Sequence, residues 1–269
     1  MSNVDDRPSL ATPIAKLERA ERLKDDLLSA IEERFPLGRP WPVIGEVSED
    51  GLLWTFRVGT TPEIDPEWIL VIGDVLFDLR CALDHLVYQL HRHELGDPLP
   101  EKAEKSSAFP ICDSRKDWTG HKRRIAQLAD SDKTRIEWFQ PFQRQLGDDE
   151  HHPVTWTRYW LGKLNSLHNL DKHRRLHVVA AAQNGTLSVP EQRPQFDGEA
   201  RPKWGPLGDD RIIETWSLRR PIQNDWHHPG ALIYPTIEWD EWVQPDVLLR
   251  ACCTHVRLVL ESFAERLGG

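Results

Sequence analysis

The stretch that decides the fold is WILVIGDVLFDLRCALDHLVYQLH, residues 68–91. Trp68, Ile72, Val75, Leu79, Leu83, Leu86 and Leu90 recur at steps of three and four, so at about 100° per residue they form one helical stripe. Leu70, Phe77, Cys81 and Tyr88 occupy a second face, which predicts a bundle helix packed on two sides. Three ionisable groups sit close to this apolar pattern: Arg80, Asp84 and His85. Arg80 and Asp84 are four apart and share an edge. His85 lies about 140° around the axis from Arg80, on the side of Asp74 and Asp78. Two polar pairs are expected, Arg80 with Asp84 and His85 with Asp78.

Outward from this helix, Thr12-Pro13 opens a first helix over 12–35 by N-cap and first-turn proline logic, its outer face densely charged. Residues 41–60 alternate and turn at Glu49-Asp50-Gly51, a β-hairpin signal. After the central helix (66–92), residues 96–117 read as a long proline-bearing loop pinned by Phe109-Pro110-Ile111. Shorter helices follow and end at Pro141, and Pro153 starts another. On that later helix Trp156, Trp160, Leu164 and Leu167 form the expected stripe, and Asp171 continues the line. A carboxylate there needs a partner, since a lone buried charge costs several kcal/mol. Arg80 is the expected cation, with Lys172 to Arg175 as local competitors and as charge compensation at the helix end.

Strands are expected at 176–182, 185–189, 212–218 and 232–237, with 190–208 as a loop, and a closing helix at 245–267. Helix, hairpin, helices, strands, helix is a segregated order. It predicts an α+β fold: one domain over 1–269 with a helical core (12–35, 66–92, 115–173, 245–267) and a small antiparallel β-sheet, its hairpin near 42–60 and its other strands within 176–237.

The chain has 269 residues and a formal net charge of −9, which argues against broad phosphate-backbone binding and leaves room only for a local patch. The most basic window is RKDWTGHKRR, residues 115–124. Either it is a solvated helix start, or Arg115, Lys116, Lys122, Arg123 and Arg124 contact RNA. The four cysteines include adjacent Cys252-Cys253 and no C-x-x-C, which fits reduced, inert thiols. The polar start MSNVDDRPS is wrong for a signal peptide and no apolar run is long enough to span a bilayer, so a cytoplasmic protein free of membranes is expected. H-E-x-x-H, the Glu-x-x-His of di-iron bundles, G-x-S-x-G and the Gly-rich phosphate loop are all absent, so no cofactor is expected and the metal reading has little ligand geometry behind it. The twelve tryptophans scatter without a repeat and read as core and rim.

Two segments carry a resemblance: LRCALDHLVYQL (79–90) and LNSLHNLDKHRRL (164–176), separated by Phe109-Pro110-Ile111 and Gln140-Pro141-Phe142. Together they resemble a group of uncharacterised bacterial cytoplasmic proteins with L-R-x-A-L-D-H-L and N-x-D-K-H-R motifs. More loosely, Arg80-Cys-Ala-Leu-Asp-His85 is similar to the R-x4-6-H motif of HEPN domains, helical bundles that cleave RNA without metal, although the polar residue that commonly follows the arginine there is Cys81 here. That resemblance implies a homodimer and an RNase in which His85 is the acid or base, Arg80 stabilises phosphate charge and Asp84 or Asp78 orients the imidazole. The candidate site is therefore Arg80, Asp84, His85, Asp171 and His173. In the competing, non-catalytic reading the same residues hold the helices of a binding or scaffold protein in register.

Overall fold

The computed structural model describes residues 7–36, 41–60, 63–144, 153–173, 176–182, 198–202, 205–207, 210–219, 230–238 and 242–268. The chain divides into two compact units, each built from separate stretches: Met1–Asp26, Leu70–Leu176 and Asp246–Gly269 in the first, Leu27–Ile69 and His177–Pro245 in the second. The fold is α+β, as the element order predicts.

Helices α1 (Ala11–Arg34) and α2 (Pro66–Leu95) belong mostly to the first unit. α1 starts slightly ahead of the expected Thr12-Pro13 because the Ser9 hydroxyl accepts a hydrogen bond from the Ala11 amide at 3.4 Å. The α2 stripe is buried as its periodicity requires, and Leu76, Ala82 and Val87 widen it. The second face is not packed throughout: Leu70 is 70% exposed and Phe77 47%. Fully buried Asp78 pairs with Lys16 at 3.3 Å and with Arg19. The expected His85–Asp78 pair does not form, because α1 supplies two stronger cations to that carboxylate.

The 96–117 connection is not all loop. α3 (Glu101–Ser106) forms within it, held by buried Ala103 and by Ser107, whose hydroxyl donates to the Ala103 carbonyl at 2.8 Å and meets His91 Nδ1 at 2.8 Å. α4 (Arg115–His121) is started by Ser114, which accepts from the Asp117 amide at 3.1 Å while its hydroxyl bonds the Asp117 carboxylate. A 3-10 turn (Lys122–Ile125), α5 (Asp130–Trp138) and α6 (Pro153–His173) follow. The α6 stripe is rotated from the expected one. Trp156 is 45% exposed, whereas Thr157, Leu161, Leu164, Leu167 and His168 are buried, since tryptophan tolerates a rim position that the aliphatic side chains do not. The closing helix is interrupted: α7 (Pro245–Glu261) and α8 (Ala264–Leu267) flank a break where the Ser262 hydroxyl bonds the Val259 carbonyl.

In the second unit β1 (Trp41–Val47) and β2 (Leu53–Val58) form the expected hairpin, turning through Gly51 at φ 71. Strands β3 (His177–Ala182), β4 (Gly198–Pro202), β5 (Gly205–Pro206), β6 (Ile212–Leu218), β7 (Gly230–Ala231), β8 (Ile233–Glu238) and β9 (Trp242–Val243) complete it. They make two antiparallel sheets and not one, in the orders β4-β6-β2-β1-β7 and β5-β3-β8-β9. β4 and β5 lie inside the segment expected as loop, and the strand expected at 185–189 lies outside the described residues. Trp54, Phe56 and Trp216 pack ring against ring on the first sheet, with Trp54 seated over Gly45.

Candidate functional site

Arg80 is placed by a closed set of three groups. Its guanidinium Nη2 donates to the Phe109 carbonyl and meets Asp84 Oδ1 at 3.0 Å, while the Phe109 amide donates to the same Asp84 oxygen at 2.8 Å. The far side of the Phe109-Pro110-Ile111 segment is fastened by fully buried Gln140. Its Nε2 donates to the Pro110 and Ile136 carbonyls and its Oε1 accepts from the Cys112 amide. The backbone groups of Phe109-Pro110-Ile111, bonded on one side by Arg80 and Asp84 and on the other by Gln140, therefore fix the wall on which Arg80 sits. Arg80 is 8% exposed and its Nη1 has no hydrogen-bond partner among the described residues.

Arg80 and Asp84 line a cleft of about 960 Å³ in the first unit. α3 adds Lys102 and Lys105, α4 adds His121, the 3-10 turn adds Arg123 and Arg124, and α6 adds Asn165, His168, Asn169 and Lys172. Six lysines and arginines thus face one carboxylate, in a chain whose net charge is −9. Lys105 is paired with Glu101. Lys102, Arg123, Arg124 and Lys172 have no carboxylate partner among the described residues.

Ionisation in the cleft follows from burial and from this excess of cations. Burial raises the Asp84 carboxyl, and Arg80, the Phe109 amide and Arg124 pull it back. Burial lowers the Arg80 guanidinium, which Asp84 opposes and Arg124 reinforces; it remains a cation. His168, 3% exposed, is pushed down to about 4 by burial, with Lys172 and Arg80 acting in the same direction. It is a neutral imidazole at neutral pH, its Nε2 buried without a partner among the described residues. His121 is lowered by burial and by Arg124.

The expected site residues separate. Arg80 and Asp84 are together in the cleft; His85 and Asp171 are not among its lining residues. His85 is half-buried, lowered by burial and by nearby Lys16. The expected Arg80–Asp171 clasp does not form, because Phe109 and Asp84 occupy the guanidinium. Asp171 packs against Gly73, where burial and Asp74 raise its carboxyl. His173 ends α6, and its side chain lies outside the described residues. Of the basic window, Arg123 and Arg124 reach the cleft. Lys122 lines a neighbouring cavity of about 520 Å³, Lys116 is exposed, and Arg115 is held by Glu137 at 3.3 Å and by the Phe142 ring at 4.9 Å.

Sequence reading missed Asn165, His168 and Asn169, although with Lys172 they repeat at i, i+3, i+4 and i+7, a polar stripe as legible as an apolar one. Among the described residues no three His, Cys, Asp or Glu side chains gather as metal ligands, and no helix is long and apolar enough to cross a membrane. Cys252 and Cys253 are buried, and burial raises both thiols, Cys253 to about 11.

Fold and site together define an α+β protein with a helical unit that carries a cationic cleft. Compared with protein-family models, with curated proteins and with solved structures, the chain matches none.

Proposed function

We propose that the helical unit binds RNA through this cleft, with phosphates against Arg80, Arg123 and Arg124 and the flanking lysines. The observation that carries the reading is the convergence of six cations from four chain segments on one concavity in an otherwise acidic protein. Unpaired cations held close together repel one another, so an arrangement of this kind is relieved by a bound anion. At an effective dielectric of about 20 each cation about 8 Å from a phosphate charge contributes about 2 kcal/mol.

Binding and cleavage are distinct proposals. The R-x4-H reading asks His85 to work beside Arg80, and the cleft takes the arginine without that histidine. Binding alone is therefore the better supported reading, and one titration tests both. Fluorescence-labelled RNA should bind the wild-type protein, bind at least tenfold more weakly to the Arg123→Glu/Arg124→Glu double variant, and bind His85→Ala unchanged. RNA affinity equal in the double variant and the wild type would remove the cleft from function. RNA cleavage by the wild type that is lost in His85→Ala would restore the nuclease reading.

A further inference from the structure

The cleft has two chemically different walls. One is cationic, from α2, α3 and the 3-10 turn, with Lys172 near the C-terminal end of α6 as its sixth charge. The other is the face of α6 that presents Asn165, His168 and Asn169, none of them charged at neutral pH and none hydrogen-bonded among the described residues. The donors of such a wall could serve a phosphate, but its acceptors could not: a side-chain amide offers two donors and two acceptor lone pairs, and a neutral imidazole offers one donor and one acceptor. That mixed pattern matches the edge of a nucleobase, which an asparagine meets with paired hydrogen bonds. Buried His168 Nε2 is a polar atom whose desolvation no hydrogen bond among the described residues offsets, and Asn165 stands one helical turn before it. The Phe77 ring lies 6.1 Å from the His168 ring, so the imidazole is backed by an apolar surface.

We infer that the α6 face carrying Asn165, His168 and Asn169 reads the base of an unpaired nucleotide whose phosphates lie on the cationic wall, so that the ligand is single-stranded RNA and not a duplex. This rests on the RNA-binding reading and sharpens it. A volume of about 960 Å³ suits a ligand of one or two nucleotides. In an A-form duplex the Watson–Crick edges are paired and the deep groove is closed to side chains, so an amide wall would reach only the shallow-groove edges and not the edge a single strand offers.

The test uses the full chain and three labelled ligands of equal length: a single-stranded adenine oligoribonucleotide, the same backbone with abasic sites, and a blunt duplex. The wild type should prefer the base-bearing strand over the abasic one by about tenfold, the worth of one good set of base-edge bonds, and should bind the duplex more weakly than either. Asn165→Ala/Asn169→Ala should bring the base-bearing strand to within about twofold of the abasic one and leave abasic affinity unchanged. Arg123→Glu should weaken both strands by the same factor. Equal wild-type affinity for base-bearing and abasic strands would overturn the inference while the RNA-binding reading stands, as would a duplex that binds as well as the single strand. Competition by adenosine monophosphate at matching affinity would also overturn it, since the neighbouring phosphates of a strand would then add nothing. Failure of every ligand to bind would remove both readings.

Discussion

At the scale of single residues the cleft is governed by two buried groups with opposite demands. Arg80 must stay charged, and its charge is compensated by Asp84 and the Phe109 carbonyl. Arg80→Met leaves the Phe109 carbonyl without the guanidinium and the Asp84 carboxylate with the Phe109 amide but no cation bonded to it, so a loss of about 3 kcal/mol of stability is expected, read from urea unfolding. A loss under about 1 kcal/mol would show that water or another donor replaces the guanidinium. His168 must stay neutral. Its imidazole, like that of His255 at 2.9 Å from the Thr157 hydroxyl, is lowered by burial from 6.5 to about 4. A depressed histidine adds stability above its unfolded value and loses that contribution as the pH falls toward its folded one. Stability should therefore decline between pH 6.5 and about 4. His168→Gln should flatten that decline without abolishing it, because His255 still titrates. Identical acid profiles for variant and wild type would mean that His168 takes up no proton in this range.

At the scale of elements, close approaches are bought with glycine. On α2, a Cβ at Gly73 would stand 2.8 Å from Asp171 Oδ2. Glycine inside a helix costs up to about 1 kcal/mol relative to alanine, so Gly73→Ala ought to stabilise α2, and here the carboxylate of α6 stands in the way. The expected result is no gain for Gly73→Ala alone and a gain of about 1 kcal/mol in an Asp171→Ala background, a coupling that a double-mutant cycle measures. On β1, a Cβ at Gly45 would stand 2.5 Å from Trp54 Nε1, part of a buried ring that cannot swing away. Gly45→Ala should cost about 1–3 kcal/mol. These elements are visible in the sequence because their signals are local: the three-and-four spacing of α2, the Asp50-Gly51 turn of the hairpin, Pro245 opening α7. Periodicity runs the α6 stripe through Trp156 and Trp160, because hydropathy alone does not tell a rim tryptophan from a core one. That error hid His168. The second sheet was also hidden, since β3 could pair with any strand of suitable length and only its docking on β8 settles the choice.

At the scale of the whole molecule the net charge is −9 while the cleft is cationic, and the two act over different distances. Near physiological ionic strength the screening length is about 8 Å, so a bound phosphate senses the cleft and little else. At about 0.01 M salt it is about 30 Å, and the acidic remainder of the protein repels the ligand. RNA affinity should fall with added salt in the upper range, by about 0.7 in logarithmic slope for each phosphate engaged, and level off or reverse toward the lowest salt. A straight line through the whole range would mean that the net charge does not reach the site. The long helices, the hairpin, the α+β class and the candidate arginine were determined by the sequence itself, because periodicity, turns and caps act over a few residues. Which groups meet Arg80 was decided only in three dimensions. Its carbonyl partner lies 29 residues away, and the α6 wall of its cleft lies farther still along the chain. Such meetings depend on the angle and depth at which helices dock, and that geometry is set by all the packed side chains at once.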